Sequence, residues 1–156
     1  MFTLTPKQQE ASTLLAGQGT HILLEGGARS GKTAILSHAV IIRALKARNT
    51  RHLIARFRFN ACKESVFMDT LPKLFRDAFP DVTAKLDKGD WLYRLPHSGS
   101  EIWCGGIDDK ERSEKILGKE FATAFLNECS QIPLSSRNMI KTRVAQTANQ
   151  SLPGAE

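Results

Sequence analysis

The sequence has no apolar run long enough to cross a membrane, and the segment Met1 to Pro6 lacks the basic and then apolar order of a signal peptide. It has only three cysteines among 156 residues, and no two of them form a C-x-x-C pair. This spacing indicates neither a disulfide framework nor a zinc site, and we expect reduced thiols. An intracellular protein is the expectation that follows.

Acidic residues are also in the minority. There are 16 of them against 22 lysines and arginines, which gives a formal net charge of +6. This balance favours an anionic partner, of which nucleic acid is the commonest. The basic residues concentrated within 43–58 are equally consistent with a solvated helix face and a charged strand end. The length fits one domain with a real core.

What the sequence does contain is a complete phosphate-binding motif of the form G-x-x-x-x-G-K-[ST]. It consists of Gly26, Gly27, Ala28, Arg29, Ser30, Gly31, Lys32 and Thr33. The glycines allow successive backbone N–H groups to face a polyphosphate, and a following helix would direct its positive end at the same anion. The spacing places Lys32 within reach of the β- and γ-phosphates and the Thr33 hydroxyl on Mg²⁺. ATP and Mg²⁺ are therefore the predicted ligands.

The residues on either side of the motif support this interpretation. The apolar run His21 to Glu25 predicts a buried strand, and Thr33 to Lys46 carries apolar residues at helical spacing. The alternative is a glycine-rich turn that merely joins a strand to a helix. The strand, loop and helix order makes that alternative the weaker one.

The rest of the chain alternates between helical and strand patterns. An N-terminal helix is predicted with Thr5 as its cap, Pro6 at its first position, and Leu14 and Leu15 on its buried face. The middle of the chain predicts a strand over Arg51 to Phe59, a helix over Asn60 to Phe79 that Pro72 kinks or splits, and a hairpin of Asp90 to Leu95 with Glu101 to Cys104. The last third predicts a loop at Gly105 to Lys110, a strand over Phe121 to Leu126, and a helix over Ser135 to Thr147 opened by a serine cap. This order predicts an α/β P-loop NTPase fold with a mainly parallel central sheet flanked by helices.

A second polar group follows the predicted strand Phe121 to Leu126. Asn127 can ligate Mg²⁺ through its carbonyl oxygen, although it brings no negative charge. Glu128 can orient and deprotonate the water that attacks the γ-phosphate, which makes it the candidate catalytic base. An exposed polar pair at a strand end is the alternative, and Asp108 with Asp109 marks another strand end.

Two further side chains are candidates for nucleotide contacts. Arg29 lies within the loop and could clamp the γ-phosphate and stabilise its charge during transfer, or it could point into solvent. Gln8 could read the adenine edge, because an amide both donates and accepts hydrogen bonds. A surface glutamine on a helix is the alternative for Gln8.

These segments together resemble the ATPase domain of tailed-bacteriophage terminase large subunits, the motors that thread DNA into a preformed capsid. The resemblance rests on the glutamine motif Leu4 to Gln8, the phosphate loop with Arg29, Gly105 to Asp109, and the run from Ile116 to Ser130 that contains Asn127 and Glu128. Asn-Glu at the end of this strand is similar to the Walker B segment of one terminase subgroup.

The resemblance implies an ATPase that drives translocation of double-stranded DNA, in a homo-oligomeric ring on the portal protein, with a terminase small subunit choosing the DNA. It also implies a location in the cytoplasm of the bacterial host. Family members continue into a coupling strand and a nuclease domain, and neither is convincingly present. We therefore expect a single P-loop ATPase domain over 1–156 with a tail at about 148–156. A trans-acting arginine is a family feature for which Arg112 and Lys115 are open candidates.

Other functions remain as alternatives. A helicase-like or repair ATPase shares the glutamine motif and the phosphate loop. A nucleotide-binding module without turnover is compatible with Asn127 and with the missing coupling strand. A small P-loop kinase is less compatible, because acceptor-binding and lid segments are not evident.

Overall fold

The computed structural model describes residues 2–147 of the chain. Its helices are α1 (Pro6–Ala16), α2 (Lys32–Lys46), α3 (Phe59–Cys62), α4 (Leu71–Asp77), α5 (Lys110–Leu117) and α6 (Leu134–Thr142), with a π-helix at Lys63–Thr70 and a 3₁₀ turn at Cys129–Gln131. The strands are β1 (Arg51–Arg56), β2 (Lys85–Asp87), β3 (Leu92–Leu95), β4 (Ser100–Gly106) and β5 (Thr123–Leu126). The predicted tail at 148–156 lies outside the described residues.

The strands form one sheet in the order β2-β3-β4-β1-β5. β1 pairs in parallel with both β4 and β5, and it lies between them. The predicted hairpin is confirmed as the antiparallel pair β3 and β4, and the short strand β2 extends it. The strands β4, β1 and β5 therefore form the parallel part of the sheet. The strands β2 and β3 form its antiparallel edge.

Alternating side chains of the central strands belong to two apolar layers, one on each face of the sheet. Ile54, Ile102 and Cys104 belong to the layer that includes α2, the π-helix and α4. Leu53 and Trp103 belong to the layer that packs with α5 and α6 on the other side. Close packing needs Gly106, because a Cβ there would lie 2.3 Å from the Phe59 Cβ. The sheet is thus covered by helices on both faces.

The first helix follows its predicted local rules. The Thr5 hydroxyl accepts a hydrogen bond from Gln8 N, and the Gln8 carboxamide oxygen accepts one from Thr5 N at 2.9 Å, so that a complete capping box opens α1. Leu15 is buried as expected. Leu14 is 57% exposed, and its predicted burial was wrong because α1 packs mainly on one side against α2.

Several predicted elements change in extent. β1 ends at Arg56, three residues before the predicted end of that strand. The segment predicted as one helix over Asn60 to Phe79 is divided just before Pro72, where a π-helix ends and α4 begins. At this junction Leu71 N donates to Val66 O, and the Thr70 hydroxyl donates to Ser65 O. α6 begins at Leu134, one residue before the predicted serine cap, with no side-chain cap bond, and it ends at Thr142.

One prediction of local structure was wrong, and another was confirmed only in part. The run His21 to Glu25 does not form a strand: no ladder joins it to any described strand, and Leu23 is 66% exposed. A strand needs a partner for its backbone hydrogen bonds. Among the described residues, the edge strand β5 pairs with β1 and with no other segment. The loop predicted at Gly105 to Lys110 is present but shorter, because β4 continues to Gly106 and α5 begins at Lys110 after the Asp109 cap.

The remaining negative findings concern the cysteines and the membrane. All three cysteines are free, and burial raises the pKa of the Cys104 thiol, so this thiol stays protonated. Among residues 2–147, no helix combines the length and the apolar character that a membrane crossing requires.

Candidate nucleotide-binding site

The phosphate loop forms a tight turn immediately before α2. Gly31 is the N-cap of the helix and has φ 82°, the left-handed region that glycine enters at little cost. Gly26 has φ 157°, and Arg29 also has a positive φ, of 60°. A tight turn that opens on a helix N-terminus is the backbone geometry that binds anions.

The Lys32 ammonium is folded back across the loop. It donates to Gly26 O and Gly27 O at 2.8 Å each and to Ser30 Oγ at 2.9 Å. These three acceptors hold a positive charge at the centre of the turn. A phosphate placed there would replace neutral acceptors with anionic ones, which form stronger hydrogen bonds with an ammonium.

The two predicted magnesium ligands are brought together by the fold. Thr33 lies in the first turn of α2, and its hydroxyl donates to Asn127 Oδ1 at 3.3 Å. Asn127 follows β5, is 8% exposed, and is held by a hydrogen bond from its N–H to Ala55 O. Adjacent oxygen ligands of an octahedral Mg²⁺ lie about 3 Å apart, because each bond is about 2.1 Å long. The spacing and the oxygen chemistry of this pair fit such an ion.

Glu128 has an unusual backbone and a charged partner. Its φ of 53° and ψ of 50° are left-handed, a conformation that non-glycine residues adopt rarely and that often marks a functional site. Its Oε2 lies 3.0 Å from the Nη2 of Arg56, at the end of β1. The Gln131 carboxamide also donates to it, at 3.1 Å. The structure thus places Glu128 beside Asn127, with its carboxylate bound to Arg56 at the end of β1 and to Gln131 in the following turn.

Gln8 contacts the loop and has both ends of its amide engaged. Its oxygen belongs to the α1 capping box, and its Nε2 donates to Ser30 O at 3.3 Å. A Cβ at Gly31 would lie 2.3 Å from this nitrogen, so the glycine also makes room for the glutamine. The structure brings Gln8 to the phosphate loop, and in this arrangement the amide supports the loop.

The alternative acidic pair has structural roles. Asp108 Oδ1 accepts from Phe59 N at 2.9 Å, and Asp109 Oδ1 accepts from Arg112 N at 2.9 Å as the cap of α5. The Arg29 side chain is exposed and makes no hydrogen bond or ion pair within residues 2–147, so it is available to a ligand. The strand end at Asn127, by contrast, contacts the phosphate loop through Thr33.

Neither candidate for a trans-acting arginine is free. Arg112 is 8% exposed, lies against the rings of Phe59 and Trp103, and donates to Cys104 O and Trp91 O. Burial lowers the pKa of its guanidinium from the ordinary value. Lys115 is paired with Asp90. The Arg112 side chain therefore serves the packing of α5 in its own chain, and the Lys115 side chain forms a surface ion pair.

Arg56 also lies at the site, although no sequence motif includes it. It is the last residue of β1, and its guanidinium reaches both Glu128 and Ser65. Within the sequence it is one of several arginines near residues 51–58, and no spacing rule singles it out. The position after a parallel strand adjacent to β5 is the signal that could have found it.

Comparison with solved structures identifies the architecture. The large terminase of a thermophilic bacteriophage matches 93% of this chain with a TM-score of 0.79 and 18% sequence identity. The chain has the P-loop NTPase fold. Structures of the same terminase in complex with ADP and with ATP-gamma-S match 92% of the chain, each at 17% identity, with TM-scores of 0.75 and 0.73.

The likeness covers a part of those proteins and is one of structure. The chain spans about 37% of the length of the first of these terminases and about 36% of the other two. No protein-family model matches the sequence, and a comparison with curated proteins gives no significant match. At this identity the likeness establishes the fold, and the chemistry has to be argued from the site.

Proposed function

We propose that this chain is the ATP-binding and ATP-hydrolysing domain of a viral DNA-packaging terminase large subunit. The observation that carries the proposal is the Thr33 to Asn127 contact, which joins the phosphate loop to the strand end that bears Glu128. The terminase fold supports it, since solved structures of that fold include complexes with ADP and ATP-gamma-S. The basic net charge of +6 supports double-stranded DNA as the substrate of translocation.

The residues of the site divide the work as follows. The N–H groups of the loop bind the phosphates, and Lys32 exchanges its three loop acceptors for phosphate oxygens. Arg29, exposed and unpaired among the described residues, adds positive charge at the γ-phosphate. Glu128 orients the attacking water and accepts its proton. Thr33 and Asn127 would hold Mg²⁺, which when bound neutralises charge on the β- and γ-phosphates.

The working assembly is also part of the proposal. It consists of a homo-oligomeric ring on a portal protein, with a small subunit that selects the DNA, in the cytoplasm of a bacterial host. The resemblance of Leu4 to Gln8, the phosphate loop and Asn127 with Glu128 to terminase motifs supports it. Within this assembly a trans-acting arginine would come from a residue other than Arg112, because Arg112 is buried in its own chain.

The test measures binding and chemistry separately. Mg-ATP affinity and phosphate release are measured for the wild-type chain with and without duplex DNA, and for Glu128→Gln, with the exposed Glu120→Gln as matched control. The proposal expects Glu128→Gln to bind Mg-ATP normally and to lose turnover, while Glu120→Gln matches the wild type. Turnover that survives Glu128→Gln would refute the assigned role.

A second candidate function is a nucleotide-binding module without turnover. Two observations favour it: Asn127 supplies no charge to the metal, and the Glu128 carboxylate is already paired with Arg56. Tight Mg-ATP binding with no phosphate release, even with duplex DNA present, would support the module. A helicase-like ATPase would instead separate DNA strands, which a packaging motor does not do.

A further inference from the structure

The phosphate loop and the run that leads into it have few contacts with the rest of the molecule. From Gln18 to Ser30, no backbone hydrogen bond joins the chain to a helix or strand of residues 2–147. The Lys32 ammonium bonds to loop carbonyls, but Lys32 itself directly follows the loop. Ser30 O accepts from Gln8 Nε2 of α1 at 3.3 Å. Within the described part of the chain, Gln8 therefore ties this run to an element that is distant in sequence.

The helix that carries Gln8 has little apolar contact of its own. α1 has 11 residues, and Leu15 is its single buried residue, whereas Leu14 is exposed. An isolated helix of this length is marginally stable in water, so tertiary contacts decide whether it forms and where it lies. Since α1 packs mainly against α2, the position of Gln8 depends on a small number of contacts between these two helices.

The first of these contacts precedes α1 and is aromatic. The Phe2 ring stacks on the imidazole of His38 in α2, with ring centroids 4.9 Å apart and ring planes at 17°. The centroid of the same imidazole lies 5.0 Å from that of Phe79, which follows α4. Burial lowers the pKa of His38, so the stacked ring is neutral at pH 7. Stacked rings attract one another beyond the effect of burial, and Phe2 lies shortly before the Thr5 cap, so the stack fixes where α1 begins.

The second contact lies at the other end of α1. The Nη2 of Arg43, in the last turn of α2, donates to Leu15 O at 2.8 Å. Carbonyls in the last turn of a helix lack intrahelical donors, and a guanidinium bonds to them strongly because it is charged. α1 therefore lies along α2, with Gln8 at the loop end of α2 and Leu15 near its C-terminal end.

We propose that Phe2, His38 and Arg43 are positioning residues, which attach α1 to α2 and thereby hold Gln8 against the phosphate loop. This inference rests on the proposed function. When α1 detaches, Ser30 O loses its bond to Gln8. The loop then leaves the shape in which its N–H groups face a phosphate, because no strand or other helix among the described residues holds the run before it.

Linkage fixes the direction of the expected effects. Nucleotide phosphates bind the state in which α1 is attached, so a variant that populates the detached state binds nucleotide more weakly, in proportion to the attached fraction. Loss of one such contact should weaken Mg-ADP binding about three- to tenfold. KM for ATP should rise by a similar factor while kcat stays unchanged, because saturating nucleotide restores the attached state.

The first experiment measures Mg-ADP affinity by calorimetry, and KM and kcat for ATP, for Phe2→Ala and Arg43→Gln. Each variant has a matched control. Phe2→Tyr keeps the aromatic face, and Arg48→Gln removes the charge of an exposed arginine that forms no hydrogen bond or ion pair with the described residues. We expect weaker Mg-ADP binding and a higher KM at unchanged kcat for Phe2→Ala and Arg43→Gln, and wild-type values for both controls.

A double-mutant cycle tests whether these contacts act through Gln8. Gln8→Met keeps the length of the side chain and removes the amide that bonds to Ser30 O. On this background Phe2→Ala should weaken Mg-ADP binding no further, because the connection that it loosens is already broken. Additive losses in the cycle would overturn the inference, since Phe2 would then act on the fold rather than on the loop.

A nucleotide-free measurement reports on the loop itself. Arg29 is exposed within the loop, and trypsin cleaves the bond between Arg29 and Ser30 when this segment opens. Phe2→Ala, Arg43→Gln and Gln8→Met should each speed this cleavage several-fold. Cleavage after the exposed Lys88, in the turn between β2 and β3, should keep its wild-type rate. Acceleration at both sites would indicate a general loss of stability and would overturn the inference.

The outcomes separate this inference from the function on which it rests. Thermal melting is compared first; Phe2 also packs against the apolar layer beside α2, and should Phe2→Ala fail to fold, Arg43→Gln decides alone. Unchanged Mg-ADP affinity in either variant that folds overturns the inference, whatever the cleavage rates. Absence of Mg-ADP binding in the wild type refutes the proposed function instead, and cleavage after Arg29 then decides whether these residues hold the loop.

Discussion

His52 is expected to make the fold sensitive to mild acid. It is the second residue of β1, is 1% exposed, and its Nε2 lies 2.8 Å from the Thr50 hydroxyl. Its Nδ1 is buried with no hydrogen-bond partner among residues 2–147. Burial first, and the Arg43 charge second, lower the pKa of this imidazole from 6.5 to about 4. A neutral ring is therefore built into the folded state.

The sign and the size follow from this depressed pKa. The unfolded chain takes up a proton near pH 6.5, whereas the folded chain resists it down to about pH 4. The stabilisation is complete above the unfolded pKa and is lost as the pH falls through this window. The difference of about 2.5 pKa units corresponds to about 3 kcal/mol at 1.36 kcal/mol per unit. That is a large share of the free energy of unfolding of a typical domain, which is roughly 5–15 kcal/mol.

Urea unfolding at several pH values between 7.5 and 4.5, roughly the range in which imidazole titrates, measures the effect. The free energy of unfolding of the wild type should fall steeply over this range, and that of His52→Asn should fall less, from a lower starting value. The exposed His97→Asn serves as control and should keep the wild-type slope. Parallel curves for wild type and His52→Asn would refute the reasoning, because the acid sensitivity would then arise elsewhere.

Three further predictions concern the site and the packing beneath it. Lys32→Ala should weaken Mg-ATP binding about tenfold or more in a calorimetric titration, and the exposed Lys7→Ala should not. Asn127→Asp should lower the Mg²⁺ concentration needed for half-maximal nucleotide binding, because it adds a charge at an oxygen ligand, whereas the exposed Asn138→Asp should leave it unchanged. Gly106→Ala should cost about 1–3 kcal/mol in urea unfolding, because its Cβ would lie 2.3 Å from a side-chain atom of α3; unchanged stability would contradict this packing.

Local patterns in the sequence predicted much of the fold. The capping box at Thr5, the helix after the phosphate loop, and the hairpin of β3 and β4 depend on hydrogen bonds and side-chain periodicity within a few residues. Such features can be read without knowing what packs against them. The phosphate loop belongs to the same class, since its turn is set by its own glycines.

Predictions that depended on a distant partner were less secure. The apolar run before the loop has the composition of a buried strand, but no described strand pairs with it. α5 was missed because Ile116 is its only buried apolar residue, although Asp109 as its cap was a usable signal. The π-helix receives a hydrogen bond from the Tyr93 hydroxyl of β3 to Phe67 O, a contact from a distant part of the chain.

The candidate site shows the same division. The sequence alone determined the residue types of the phosphate loop and the Asn127 and Glu128 pair, because each lies within one short segment. Tertiary structure alone decided that Thr33 contacts Asn127, that Gln8 supports the loop, and that Arg56 holds Glu128. These contacts join residues far apart in the chain, and their positions depend on the register of β1 against β5 and on the packing of α1 and α2, which no local pattern encodes.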